Sequence, residues 1–256
     1  MAIIIKTPKE IEILREGGKR LATVLYKVRG IVKPGISTKD LDAYAYKLIK
    51  EMGDEPAFLN YLPEGAETPY PASLCVSVNN EVVHGIPSEK KILKEGDIVS
   101  LDLGLKHNGL FTDMAITVPV GEVSSGSQKL INTTEKALEV GIDAARGGYR
   151  VGDIGAAIEG FVQRHKYGIV EVLAGHGVGK YIHEDPYIPN FGKANTGAKL
   201  VPGMVIAIEP MLNNGTKHVD LDRDGWTFRT ADAKKSAHFE HTILITDGEP
   251  EILTKV

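Results

Sequence analysis

The sequence predicts a single α+β domain whose two halves repeat one another. Two observations lead there. The patterns run helix, helix, strands and then helix, helix, strands again, and short glycine motifs recur at matching places in each half. No Ser/Pro-rich linker or low-complexity tract divides the 256 residues. Residues 1–256 therefore read as one domain with halves of roughly 5–120 and 125–250.

The first helix enters at Thr7, because Thr7-Pro8-Lys9-Glu10 offers an N-cap hydroxyl, proline at the first helical position and glutamate at N3. Ile11, Leu14, Leu21, Val24, Leu25 and Val28 follow at helical spacing, and Lys33-Pro34-Gly35 ends the element. A second helix runs from Ser37 or Thr38 to Met52, with Leu41, Tyr44, Ala45 and Leu48 inward and Gly53 as its stop. From Ser73 the period becomes two. Leu74, Val76 and Val78 alternate, 98–105 is rich in β-formers, and 110–118 reads as its hairpin partner. Helices return over 127–146 and 151–165, and strands over 169–173, 204–209, 226–230 and 239–246. Gly35-(x)4-Asp40-Leu41 is answered by Gly148-(x)4-Asp153-Ile154, each entering a second helix. The stretch from Gly96 to Asp102 lines up with that from Gly203 to Glu209, which places one carboxylate over another.

Composition narrows the class. Hydrophobic residues make up 42% and charged residues 25%, which excludes disorder and collagen. No apolar run approaches the roughly 18 residues of a membrane span. Ala2-Ile3-Ile4-Ile5 is too short for a signal-peptide core and lacks a basic stretch before it. The single cysteine, Cys75, makes no internal disulfide, and a net charge of −4 implies no polybasic surface for nucleic acid. A cytoplasmic enzyme or binding protein remains.

Asp102 and Asp113 sit in strands that should otherwise be apolar. A hairpin turning between His107 and Asn108 opposes them directly, and a turn centred on Asn108-Gly109 makes them diagonal neighbours on one face. Only the intermediate register separates them. Cross-strand carboxylates with Cβ atoms about 4.5–5.5 Å apart repel, so something positive belongs between them. One strand aspartate would ordinarily face solvent. Here a second pair, Glu209 after Val205-Ile206-Ala207-Ile208 and Glu240 in Phe239-Glu240-His241, repeats the arrangement. Four carboxylates converging from two related hairpins require cations or protons, and a metal pair is the economical solution.

His176, in Gly175-His176-Gly177-Val178-Gly179, lies on backbone that a ligand can approach closely, and His183 follows in Ile182-His183-Glu184. His84, in Val83-His84-Gly85, is less telling by itself, while His107 in the hairpin turn and His165 near a helix end read as surface residues. One imidazole with four carboxylates argues against a closed structural zinc site and suits Mn(II), Fe(II) or Co(II). Two such ions about 3.5–4 Å apart would lower the pKa of a shared water.

Residues 73–87, Asp102 with Asp113, Gly175-His176-Gly177-Val178-Gly179-(x)3-His183, Ile208-Glu209-Pro210 and Phe239-Glu240-His241-Thr242 together resemble type I methionine aminopeptidase. The resemblance runs over nearly the whole chain. It implies the pseudo-two-fold pita-bread fold of the M24 metallopeptidases, an antiparallel sheet covered by two pairs of helices with the metal site at the sheet's centre. It implies two divalent ions (Mn, Fe(II) or Co, with Zn as a further candidate) on Asp102, Asp113, His176, Glu209 and Glu240. Glu209 would move protons, His183 would contact the peptide carbonyl oxygen and His84 the scissile amide nitrogen. Tyr70, Cys75 and Trp226 would line the methionine pocket. The expected substrate is the initiator methionine of nascent polypeptides with a small second residue. The protein would be a cytoplasmic monomer that contacts the ribosome but neither membranes nor specific nucleic acid.

Ile182 departs from the aromatic residue often found before this histidine, and the loop over 60–71 is longer than the common bacterial pattern. The short stretch between His183 and Glu209 leaves no room for the insertion of type II enzymes. No zinc-binding extension of the eukaryotic kind precedes residue 1, so a compact bacterial-style form is expected. An X-Pro-directed aminopeptidase or prolidase of the same fold would use the same ligands, usually behind an additional N-terminal domain. A catalytically silent binding protein of this fold would be marked by lost ligands, and none is lost.

Overall fold

The computed structural model describes residues 2–63 and 65–256. Helix α1 spans Pro8–Arg29. The Thr7 hydroxyl accepts from the Glu10 amide and the Glu10 carboxylate accepts from the Thr7 amide, which completes the expected capping box. Helix α2 spans Thr38–Glu51 with Ser37 as N-cap, and Gly53 follows it at φ +77. Helix α3 spans Ser125–Asp143, entering at Ser124 two residues earlier than its apolar pattern suggested. Helix α4 spans Val151–Val162 and tightens into a 3₁₀ turn over Gln163–His165.

Nine strands form the central sheet. Its main path runs Glu55–Pro56, Ile98–His107, Leu110–Pro119, Glu240–Leu244, Val205–Ile208, Gly175–Gly177 and Glu184–Ile188, with Leu74–Val78 and Glu251–Ile252 pairing beside it. Its ladders are antiparallel. Leu21, Leu25, Leu41 and Ile49 from the first helix pair join Leu101, Leu103 and Ile116 of the sheet in one buried core. Leu130, Leu138, Ile154 and Ile158 from the second pair join the same core with Ile206 and Ile208. Apolar burial of this extent, near 25 cal/mol per Å² of area removed from water, is what holds helices and sheet together.

The glycine motifs paired in the sequence make matching backbone hydrogen bonds. Gly35 donates to Leu93 O (2.8 Å) and Gly148 to Leu200 O (2.9 Å), both glycines at φ +89. Gly96 donates to Val120 O (3.0 Å) and Gly203 to Ile245 O (2.9 Å), at φ +87 and +90. An L-side chain rarely adopts that conformation, so glycine recurs at both turns. Asp40 and Asp153 each accept from the amide three residues earlier, at 3.2 and 2.8 Å.

Three expectations need correction. The strand over 169–173 reduces to Gly168–Ile169; the Val170 amide still donates to Met211 O (3.1 Å), and beyond it the chain enters the loop leading to His176. The run 239–246 shortens to the one strand Glu240–Leu244, and a strand not read from the sequence, Ser236–His238, precedes it. Ser236–His238 pairs with Met211–Asn213 in a separate small sheet, and Glu240–Leu244 pairs with Val205–Ile208 in the large one. His107 is buried rather than on the surface: the loop before the Glu55–Pro56 strand covers it, and its Nδ1 lies 2.7 Å from Asp54 Oδ1. His165 is half-buried, its ring 4.8 Å from that of Phe161.

Candidate active site

The central hairpin adopts the register set by a turn at Asn108-Gly109. Asp102 opposes Ala115 and Gly104 opposes Asp113, so the two carboxylates are diagonal neighbours on one face. Thr242 pins the second of them: its hydroxyl accepts from the Asp113 amide (2.9 Å) and donates to the Asp113 carbonyl (2.7 Å). Glu209 stands just beyond Ile208, the last paired residue of its strand, and Glu240 opens its strand opposite Ala115, the residue that also faces Asp102 across the hairpin.

His176 reaches the same point from the far side of the sheet. A Cβ on Gly175 would collide with the carbonyl of Ala207, and one on Gly177 with that of Asp185. The glycines therefore let the histidine strand lie tightly between its two neighbours. His176 Nδ1 donates to Gly177 O at 2.9 Å, which leaves Nε2 a bare lone pair, 3.7 Å from Glu209 Oε1 and 4.0 Å from Glu240 Oε1. Donor atoms of Asp113, His176 and Glu240 all lie within 4.8 Å of one another.

Among the described residues, no lysine or arginine pairs with these carboxylates; their ion-pair neighbours are His176 and His238. Asp102 Oδ1 and Glu240 Oε1 are buried without hydrogen-bond partners. Burial, then the Glu209 charge, pushes the Asp113 carboxyl up to about 8, and burial alone takes Glu209 to about 8. Asp102 and Glu240 are driven well above the carboxylate range, first by burial and then by Asp113. Burial lowers His176 to about 4, so its imidazole is neutral near pH 7 and free to ligate. Orphaned buried oxygens, uncompensated acids and one neutral imidazole form an oxygen-rich donor set that fits divalent cations.

The cluster lines a cavity of about 110 Å³. Every residue singled out from the sequence as a ligand, catalytic group or pocket wall lines it: Asp102, Asp113, His176, Glu209 and Glu240, the two histidines His84 and His183, and Tyr70, Cys75 and Trp226. His84 adopts φ +57, and the next residue, Gly85, packs so tightly on the Val76 carbonyl that no Cβ would fit. Tyr70 donates to Gly85 O at 3.0 Å and meets the Trp226 ring edge-on at 5.2 Å. Asp224 holds the Trp226 turn by accepting from the amides of Trp226 and Thr227, both at 2.8 Å. Cys75 is buried and opposes Asp102 across the ladder, and burial raises its thiol far above the usual range, so it remains a neutral wall.

Phe58, Tyr61 and Pro63 also line the cavity and were not read from the sequence. The only signal was the position of the last two within the 60–71 loop, of which Glu64 lies outside the described residues. His238 was missed as well; it is 1% exposed, with Nε2 3.2 Å from Glu209 Oε2. Ile182, which replaces the aromatic residue often found before this histidine, packs with Leu14, Val178 and Val205 in a secondary core and does not line the cavity.

The sequence profile described as Metallopeptidase family M24 matches residues 12–247. Methionine aminopeptidase 1 of Bacillus subtilis (strain 168) is 46% identical over 254 residues, covering 99% of this chain and 100% of the relative. Methionine aminopeptidase of Aquifex aeolicus (strain VF5) is 45% identical and both chains are covered in full. The crystal structure of methionine aminopeptidase from Thermotoga maritima superposes with a TM-score of 0.95 at 43% identity, covering 100% of both chains. Prolidase from Pyrococcus furiosus gives 0.77 at 25% identity, with 99% of this chain on 66% of the other. With the acidic cluster already assembled on an α+β scaffold, these full-length likenesses settle its lineage: the chain belongs to metallopeptidase family M24.

Proposed function

We propose that this chain is a type I methionine aminopeptidase that hydrolyses the initiator methionine from nascent polypeptides with a small second residue. The observation that carries the reading is one cavity lined by both the acidic cluster and aromatic side chains, in a chain whose relatives of that name match it end to end. As a family M24 enzyme it is a metal-dependent aminopeptidase. The ligands we assign are Asp102, Asp113, His176, Glu209 and Glu240, holding two divalent ions, with Mn(II), Fe(II) and Co(II) ahead of Zn(II). When bound, such ions supply Lewis-acid charge and lower the pKa of water.

The remaining chemistry belongs to side chains. Glu209 takes the proton of the attacking water and returns it to the leaving amine. His183 donates to the carbonyl oxygen as negative charge grows there. His84, held in its left-handed conformation, contacts the scissile amide nitrogen. Tyr70, Cys75 and Trp226 receive the methionine side chain, a soft unbranched thioether suited to an aromatic-edged wall. A side chain longer than a few atoms at the second position would crowd the carbonyl between His84 and His183. The paired glycine turns and carboxylate caps support reading residues 5–120 and 125–250 as duplicated halves of one catalytic domain. No helix among the described residues is long and apolar enough to cross a membrane. A cytoplasmic monomer working at the ribosome is the setting this substrate implies.

The test is methionine release from Met-Ala-Ser by metal-stripped protein, repeated after adding Mn(II), Fe(II) or Co(II), with Asp113→Asn as control and Ala-Pro-Ala beside it. Metal-dependent release, abolished in the variant, is expected. Cleavage of Ala-Pro-Ala alone would transfer the site to X-Pro substrates, and no release despite bound ions would make this a binding protein.

A further inference from the structure

The geometry points to Tyr61 as a positioning residue for His183: its hydroxyl donates to His183 Nδ1 and so holds the ring with its proton on Nε2, facing the substrate carbonyl. The inference rests on the role proposed for His183 and goes beyond it, because it says what makes that ring a donor.

Tyr61 Oη lies 2.7 Å from His183 Nδ1, and the two rings stand 5.2 Å apart, tilted at 55°. Both residues line the cavity. A neutral imidazole carries one ring proton, so a nitrogen that accepts a hydrogen bond forces the proton onto the other. Phenol O–H is a stronger donor than a neutral imidazole N–H, so the pair settles with tyrosine donating. Nε2–H is then the group His183 offers to the cavity. Without the phenol, nothing else among the hydrogen bonds of the described residues holds this ring, and its other neighbour, His176, meets it only edge to face at 4.4 Å.

The loop that carries Tyr61 is built to deliver it. Asn60 N–H donates to Tyr70 O (2.9 Å) and Tyr70 N–H to Tyr61 O (2.8 Å), which closes the loop at its neck. The same neck places the Tyr70 hydroxyl on Gly85 O, beside His84. One pair of backbone-coupled tyrosines thus reaches His183 directly and the backbone next to His84, and both hydroxyls leave from the neck of the loop over 60–71.

The experiment is a double-mutant cycle of Tyr61→Phe and His183→Ala in the metal-loaded enzyme on Met-Ala-Ser. Alongside it, ¹⁵N spectra of histidine-labelled, Zn(II)-loaded protein are recorded, with His183 assigned from its alanine variant. Loss of one hydrogen bond that orients a catalytic group predicts about a tenfold fall in kcat for Tyr61→Phe, with KM within about twofold. Metal content and melting temperature should match the parent. In the His183→Ala background the tyrosine change should cost nothing further, and the spectra should move from the Nε2–H tautomer in the parent to a mixture in Tyr61→Phe. A rise in KM alone would make Tyr61 a pocket wall and overturn the inference, as would effects that multiply in the double variant. Unchanged activity in His183→Ala would overturn the role of His183 itself. The spectra would still report separately whether the tyrosine sets the tautomer.

Discussion

At the scale of single residues, the site is a set of groups held in states water would not choose. Asp113 illustrates this: it is buried beside Asp102 and Glu209, and no lysine or arginine among the described residues pairs with it. Asp113→Asn should abolish metal-dependent release and lower the bound-metal stoichiometry. In the metal-free form the same change should raise the melting temperature, because it removes a group that must take up a proton to be buried beside the other carboxylates. About 1 kcal/mol corresponds to about 2–4 °C for a chain of this size, which differential scanning calorimetry resolves. Trp226 makes a different prediction. Its ring lines the cavity against Tyr70, so Trp226→Ala should lower kcat/KM for Met-Ala-Ser by about 30-fold, mainly through KM. That factor follows from about 2 kcal/mol of lost apolar contact. Metal content should not change, since the indole is not among the assigned ligands. Both aspartates were legible in sequence because a carboxylate in an apolar strand is conspicuous. Phe58 was not, since a buried aromatic in a loop looks like core until Gly104 is seen to leave room for its ring.

At the scale of elements, glycines decide how closely strands approach and therefore where His176 stands. Gly177→Ala would thrust a methyl group into the Asp185 carbonyl, which backbone must yield to accommodate. The expected outcome is a melting temperature lowered by several degrees and divalent-metal affinity reduced about 10–100-fold, the range found when support for a ligand is lost. Isothermal titration with Mn(II) measures the second quantity, and unaltered affinity would show that the tight strand is not what aims the histidine. The hairpin register was legible up to two alternatives, both with Asp102 and Asp113 on one face, because side chains alternate strictly along a strand. The step between sheets at Glu209-Pro210 and Phe239 was not. Periodicity reads a strand over 239–246 and none over Ser236–His238, and only the partner strands reveal that the chain changes ladders there.

At the scale of the whole molecule, folding concentrates proton-sensitive groups in one place, with consequences for stability. Asp113 and Glu209 have folded pKa values near 8, above their ordinary ones. Such groups contribute stability below about pH 4 that is lost as pH rises through about 8. Buried His84, His176 and His241 fall to about 4, and His183 and His238 to about 3. Their contribution has the opposite sign, growing as pH rises from about 4 to 6.5. The two trends oppose one another below about pH 6.5. Above it the histidines have finished titrating in the unfolded chain and the carboxylates set the sign. Metal-stripped protein should therefore lose stability steadily between about pH 6.5 and 8, and added Mn(II) should raise the melting temperature most at the upper end. A melting temperature of the stripped protein that climbs across that interval would contradict the picture.

Local order is what this sequence determined by itself. Capping residues place the helices, alternation places the central hairpin, and the glycine and carboxylate motifs, through their family likeness, name the ten residues around the cavity. These are short-range signals, each set by neighbours within a few residues. Tertiary structure alone decided that His107 is buried against Asp54, that Ile182 turns to the core, that Tyr61 meets His183 and that His238 lies beside Glu209. Those contacts join segments far apart in the chain. Whether two distant side chains meet depends on the packing of every element between them, and no local pattern carries that information.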